Sequence, residues 1–121
     1  MSYETYKLLH FFGIFLFLLL FGARIAHAQA GGAKGGHPAH RLITIGHGVA
    51  LVIIFVAGFG MHARLQIDGF PGWFLAKIGL WLVLGGLFAL PYRSPERSNL
   101  LWAAVPVLAG ASAWLALSKP F

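Results

Sequence analysis

Apolar residues run along this chain in four long stretches separated by three polar breaks. The stretches cover residues 6–28, 42–61, 73–90 and 100–117, and the segment from Phe11 to Phe21 carries no charge at all. A membrane-spanning helix needs about 20 mostly apolar residues, because a ~30 Å hydrocarbon core is covered at about 1.5 Å per residue. All four stretches reach or approach that length. Lipid offers no partner to free backbone groups, so spanning segments are expected to be helical. The alternating pattern of a membrane β-strand is absent. The pattern predicts an all-α fold: an integral membrane bundle of four antiparallel transmembrane helices forming a single domain over residues 1–121.

The breaks define the connections. Gly31-Gly32-Ala33-Lys34-Gly35-Gly36-His37-Pro38 has the composition of a flexible linker. Gln66 to Gly72 reads as a tight turn with Pro71 just ahead of the third helix. Pro91 to Asn99 closes the third helix, and Ser98 or Asn99 is placed to cap the fourth. Short connections make each helix antiparallel to the one before it.

Composition strengthens this reading. Of 121 residues, 59% are hydrophobic and 10% are charged, where a soluble domain carries about 25% charged residues to face water. Mean hydropathy is +0.79. Nine basic residues outweigh three acidic ones. They lie between apolar runs, which points to phospholipid headgroups and topology signals rather than to nucleic acid. Arg24, Lys34, Arg41, Arg93 and Arg97 flank the first and third loops, while Lys7, Arg64, Lys77 and Lys119 lie toward the other side. That bias places the first and third loops in the cytoplasm, with both termini outside. Ala26-His27-Ala28 before Gln29-Ala30 resembles a signal-peptide cleavage site. The leading segment carries Glu4 as well as Lys7, lacks a clear positive charge, and reads instead as the first helix.

Ionisable residues inside a membrane are costly and therefore candidates for function. Antiparallel geometry puts His10 near the depth of His62, and His27 near the depth of His47. Either pair has the chemistry to ligate a b-type haem iron, or the magnesium of another tetrapyrrole, from facing helices. The alternative at each position is a histidine that only hydrogen-bonds between helices. On a helical wheel His10 shares a face with Gly13, Phe17, Phe21 and Arg24. Lys77 lies on a stripe with Trp73, Trp81, Leu84 and Phe88. Between two tryptophans it is placed for cation–π contact or for a propionate, phosphate or carboxylate; the competing reading is a lysine snorkelling above an interfacial tryptophan.

Small residues mark expected packing faces: Gly46, Ala50, Ala57 and Gly58 in the second helix, and Gly85-Gly86 in the third. Pro106 predicts a kink in the fourth. His37 and His40, with His47 further on, read as a solvated loop rather than a surface metal site, since no carboxylate or cysteine lies nearby. The chain has no cysteine, and no Ser/His/Asp set, paired carboxylates or phosphate-cradling loop. Hydrolase and nucleotide chemistry are disfavoured.

Several motifs together resemble a known family. They are Lys7-Leu-Leu-His10 with Arg24 at the far end of the first helix, and His47 followed by an apolar run to Gly58. Gly72-Trp73-Phe-Leu-Ala-Lys77, Leu84-Gly85-Gly86-Leu-Phe-Ala-Leu90 and the closing Ala116-Leu-Ser-Lys119-Pro120 complete the set. The chain resembles the small four-helix SirB-type bacterial membrane proteins, named for up-regulation of invasion genes, and more distantly the HemJ-type proteins. HemJ-type proteins are haem-b-containing protoporphyrinogen oxidases. That resemblance associates His10 with haem and marks Lys77 as a family feature. The glycine-rich first loop departs from the HemJ pattern, as does the lack of a histidine-bearing region near the third helix.

Three functions follow as expectations. The first is a non-catalytic accessory or assembly subunit that meets lipid and other membrane subunits. The second is an electron-transfer protein binding haem b or another tetrapyrrole through His10. The third, least favoured, is a HemJ-like oxidase.

Overall fold

A computed structural model describes residues 1–121, and every regular element in it is helical. In chain order these are α1 (Tyr3–Gln29), α2 (His40–Arg64), α3 (Gly72–Leu87), the short α4 (Leu90–Arg93), a 3₁₀ turn (Pro95–Arg97) and α5 (Ser98–Ser118). Three segments are long and apolar enough to cross a membrane: Tyr3–Gln29, His40–Arg64 and Pro95–Ser118. The fourth apolar helix, α3, has 16 residues, which cover about 24 Å at 1.5 Å per residue.

α3 ends three residues before the expected position, and the reason is local. Pro91 has no N–H to give to the Leu87 carbonyl four residues back, so the i+4 ladder of α3 cannot continue through it. The last turn tightens instead into i+3 bonds, Phe88 N–H to Gly85 O at 3.4 Å and Ala89 N–H to Gly86 O at 3.2 Å. The stretch expected as a plain loop, Pro91 to Asn99, is mostly helical turns.

α1 begins with a side-chain cap, the Thr5 N–H donating to Ser2 Oγ at 3.2 Å. It ends in a complete Schellman motif: Gly32 N–H to His27 O at 2.9 Å, and Gly31 N–H to Ala28 O at 3.1 Å. Gly31 takes the left-handed position this requires, with φ +86°. The glycines expected to form a flexible linker therefore begin with a defined helix stop. The expected cap of the fourth helix does not form. Ser98 is the first helical residue of α5, fully buried, and no side-chain hydrogen bond caps that helix.

The chain divides into two compact units. The first joins Met1–Ala23 with Gly35–Asp68, so it holds most of α1 and all of α2. Its seam repeats every seven residues. Tyr6, Gly13 and Leu20 of α1 meet Gly60, the Ile53–Ile54 pair and Gly46 of α2 in turn. Numbers rise on one helix as they fall on the other, so the pair is antiparallel. At each level a glycine on one helix receives a large side chain from the other. A seven-residue repeat keeps one seam in contact along two helices, and glycine lets the backbones approach closely. Ala50 and Ala57, spaced seven apart as well, are buried beside it. Gly46, Ala50 and Ala57 were legible as packing residues, whereas Gly60 was not.

The second unit joins Arg24–Lys34 with Gly69–Phe121. Here α3 packs along α5. The Trp73 N–H, at the start of α3, donates to Phe121 O at 3.2 Å, so these helices too are antiparallel. The Phe121 ring lies where a side chain at Gly72 would be.

Candidate functional site

A cluster of side-chain polar contacts, graded from buried to exposed, lies in the second unit, where the last turns of α1 meet the α3–α5 connection. Arg24 is only 6% exposed. Its guanidinium carbon stands 4.3 Å from the Phe88 ring centroid and 4.6 Å from that of Tyr92. Its Nε donates to Phe88 O at 2.5 Å. That carbonyl sits at the C-terminal end of α3, where the helix dipole favours a cation. An arginine between two aromatic faces keeps its charge compensated by ring quadrupoles and a carbonyl. No carboxylate takes part.

One turn on, His27 Nδ1 and the Tyr92 hydroxyl are hydrogen-bonded at 2.6 Å. Gly32 makes this arrangement reachable, because a Cβ there would overlap the His27 ring. Gln29 completes the junction with both ends of its amide: Nε2 donates to Asn99 Oδ1 at 2.8 Å, and Oε1 accepts from Trp102 Nε1 at 2.7 Å. Arg24, His27 and Gln29 are thus three successive fasteners from α1. Sequence reasoning flagged Arg24 only as a topology signal and family match, and it missed Phe88, Tyr92 and Trp102 as partners. The available signal was Arg24 and His27 at i, i+3 facing Phe88 and Tyr92 at i, i+4.

The other candidate residues occupy separate surroundings. His10 is buried, and its Nδ1 lies 2.9 Å from Ile54 O. A carbonyl only accepts, so Nδ1 carries the proton and the lone pair belongs to Nε2. The ring reaches that carbonyl through the notch at Gly58, where a Cβ would lie 3.4 Å from His10 Cε1. His62 is buried one turn beyond Gly58 on the same stripe of α2. His47 is buried against Phe17 and Phe21, at ring centroid distances of 5.2 and 6.4 Å. His37 Nδ1 accepts from the Ala39 N–H at 2.9 Å, a contact internal to its loop.

Lys77 is half-buried on α3. The cation over Trp73 is Lys119, whose Nζ stands 5.2 Å from the ring centroid and also donates to Ala116 O at 2.7 Å. The contact expected of Lys77 at Trp73 is made by a residue forty-two positions later.

The donor chemistry at His10 suits an axial haem ligand, since a Nδ1–H···O=C bond is the usual way an imidazole presents Nε2 to a metal. The seam beside it does not suit a macrocycle. An ideal Cβ at Gly13 would already lie 2.9 Å from Ile54 Cγ1 and 3.2 Å from the Ile54 nitrogen, so α1 and α2 leave no slot between them for a flat porphyrin. No group of three or more His, Cys, Asp or Glu side chains is arranged to hold a metal ion.

Comparison with protein-family models, curated proteins and solved structures finds no match.

Proposed function

We propose that this chain is a multi-pass protein of the bacterial inner membrane, SirB-like, acting as a non-catalytic accessory subunit of a larger membrane assembly. In this reading all four apolar helices cross the bilayer, with α3 completed by the Phe88–Arg93 turns, and both termini lie outside. One observation carries the subunit role. The buried His10 and Arg24 side chains bond within the protein, while its outer faces are apolar and hold open small-residue positions. On α2 a shallow groove of about 420 Å3 is lined by Thr44, Ile45, Gly48, Val49, Val52 and Ile53. Nothing lies within 4 Å of a Cβ built at Gly48, Gly79, Gly86 or Gly110. Lipid fills such positions loosely, whereas a partner helix packs into them.

Gly48→Leu tests this. It should leave the melting temperature of the isolated protein unchanged, since the site is open, and reduce co-purification of partner chains by roughly tenfold, as expected for about 1.4 kcal/mol of lost contact. Purification from native membranes as a lone chain, with wild-type and Gly48→Leu cells behaving alike, would overturn the subunit reading.

A second reading, a b-haem electron-transfer protein, is supported by the proton placement on His10 alone. It requires the macrocycle to approach from outside the α1–α2 seam. An absorbance spectrum of detergent-purified protein, oxidised and then dithionite-reduced, decides it. A Soret band with sharpened α and β bands on reduction, lost in His10→Ala, would establish it. A protein with no visible absorbance would remove it. A HemJ-like oxidase would further need porphyrinogen turnover that depends on His10 or Lys77.

A further inference from the structure

Above the Arg24–Tyr92 junction the second unit carries a cavity of about 480 Å3, within the ~300–1,000 Å3 of ordinary small-molecule sites. Its lining is Gly32, Ala33, Lys34, Ala89, Tyr92 and Arg93. Two features of that set point to one ligand chemistry. The only charged groups are an ammonium and a guanidinium, brought by the α1–α2 loop and by α4. Neither has an ion pair within the chain, and no carboxylate lines the cavity. The other contributors are the Tyr92 phenol and the small residues Gly32, Ala33 and Ala89.

The cavity is also held open from beneath. Tyr92 is fixed by the hydrogen bond to His27 and by the Arg24 guanidinium against its ring. The Schellman turn at Gly31-Gly32 sets where the loop leaves α1. Lys34 and Arg93 are exposed, so their side chains are available to a ligand without rearrangement of the fold. Residues 32–34 follow directly on a helix long and apolar enough to cross a membrane, which puts this cavity at the depth where lipid headgroups lie.

We propose that this cavity binds a phosphate-bearing anion, presented either as the phosphodiester headgroup of an anionic phospholipid or as free phosphate. The guanidinium of Arg93 engages two phosphate oxygens in its planar fork, and Lys34 supplies a point charge. The Tyr92 hydroxyl, when it accepts from His27 Nδ1–H, has its own proton to donate to the anion. Recognition is of the phosphate; the acyl chains of a lipid would lie along the apolar helix surfaces below. This inference stands apart from the subunit reading, since a lone protein and a complexed one would both retain the site.

Native mass spectrometry of the full chain in detergent, with equimolar phosphatidylglycerol and phosphatidylcholine added, tests the proposal. Wild type should retain phosphatidylglycerol preferentially. The double variant Lys34→Gln/Arg93→Gln should retain roughly thirtyfold less, given about 1 kcal/mol per basic residue near an anionic headgroup and about 1.4 kcal/mol per factor of ten. Lys34→Arg should retain as much as wild type. Circular dichroism of each variant verifies that the helices persist. A second arm adds inorganic phosphate at millimolar concentration. Displacement of phosphatidylglycerol identifies free phosphate as an occupant in its own right, and its persistence identifies the lipid. Equal retention of the two lipids by wild type, or undiminished phosphatidylglycerol on the folded double variant, would overturn the proposal.

Discussion

Replacing Arg24 with alanine should lower the stability of the second unit by about 3–5 kcal/mol, the sum of a charged hydrogen bond to the Phe88 carbonyl and contact with two aromatic faces. Two opposing effects decide the sign. Removing a charge from a helix that crosses a membrane lowers the cost of inserting that helix, by about 2.5–3.5 kcal/mol at mid-membrane. Arg24 is only five residues from the end of α1, about 8 Å along the axis, and an arginine there reaches the surface by snorkelling at small cost. The gain on insertion is therefore slight, and the loss of contacts prevails. Arg24→Lys should recover only part of the loss, because an ammonium cannot stack flat between the rings while donating along their plane. Thermal unfolding in detergent, followed by circular dichroism, measures both. A variant Arg24→Ala that melts with the wild type would show that the guanidinium is bystander rather than fastener.

Gly13→Leu should be nearly as damaging in the first unit, by about 3 kcal/mol, because overpacking a close helix seam forces backbones apart. The nearest atoms to a Cβ at Gly13 include the Ile54 backbone nitrogen at 3.2 Å as well as two isoleucine side chains. A side chain can turn away, whereas a helix backbone cannot. Gly60 presents the milder case, since its neighbour is the Tyr6 ring. Gly60→Ala combined with Tyr6→Ala should therefore lose less than the two single changes together, which a double-mutant cycle reads directly. If Gly13→Leu unfolds at the wild-type temperature, the seven-residue seam is not what joins α1 to α2.

These two predictions concern contacts of different visibility in the sequence. The helices themselves were legible. Three apolar stretches became α1, α2 and α5 within three residues at each end, because length and apolarity are properties of a local window. The third was cut short by Pro91, whose effect on the preceding turn the sequence carried but apolar continuity outweighed. At the ends, local chemistry was read in the wrong frame. Gly31-Gly32 looked like a linker by composition and serves as a helix stop. Asn99 looked like a cap, and its amide oxygen instead accepts from Gln29, seventy residues earlier. Partnerships of that kind leave little periodic trace. Arg24 and Phe88 are 64 positions apart, and the sole trace of the match is the i, i+3 spacing of Arg24 and His27 against the i, i+4 spacing of Phe88 and Tyr92. Lys77 and Lys119 show the same limit. Helical spacing put only Lys77 beside Trp73, and the packing of α3 on α5 puts Lys119 there instead.

The span between Arg24 and its shelter also sets an order of events as the chain is made. The α1–α2 seam is assembled from residues before Asp68 and is complete once α2 has emerged. Phe88 and Tyr92 come later, about 3–13 s after Arg24 at the usual ~5–20 residues per second of synthesis. Throughout that interval the guanidinium must be held by something other than this protein, whether a headgroup, water at the bilayer surface or the insertion machinery. The second unit closes only when translation supplies the rings.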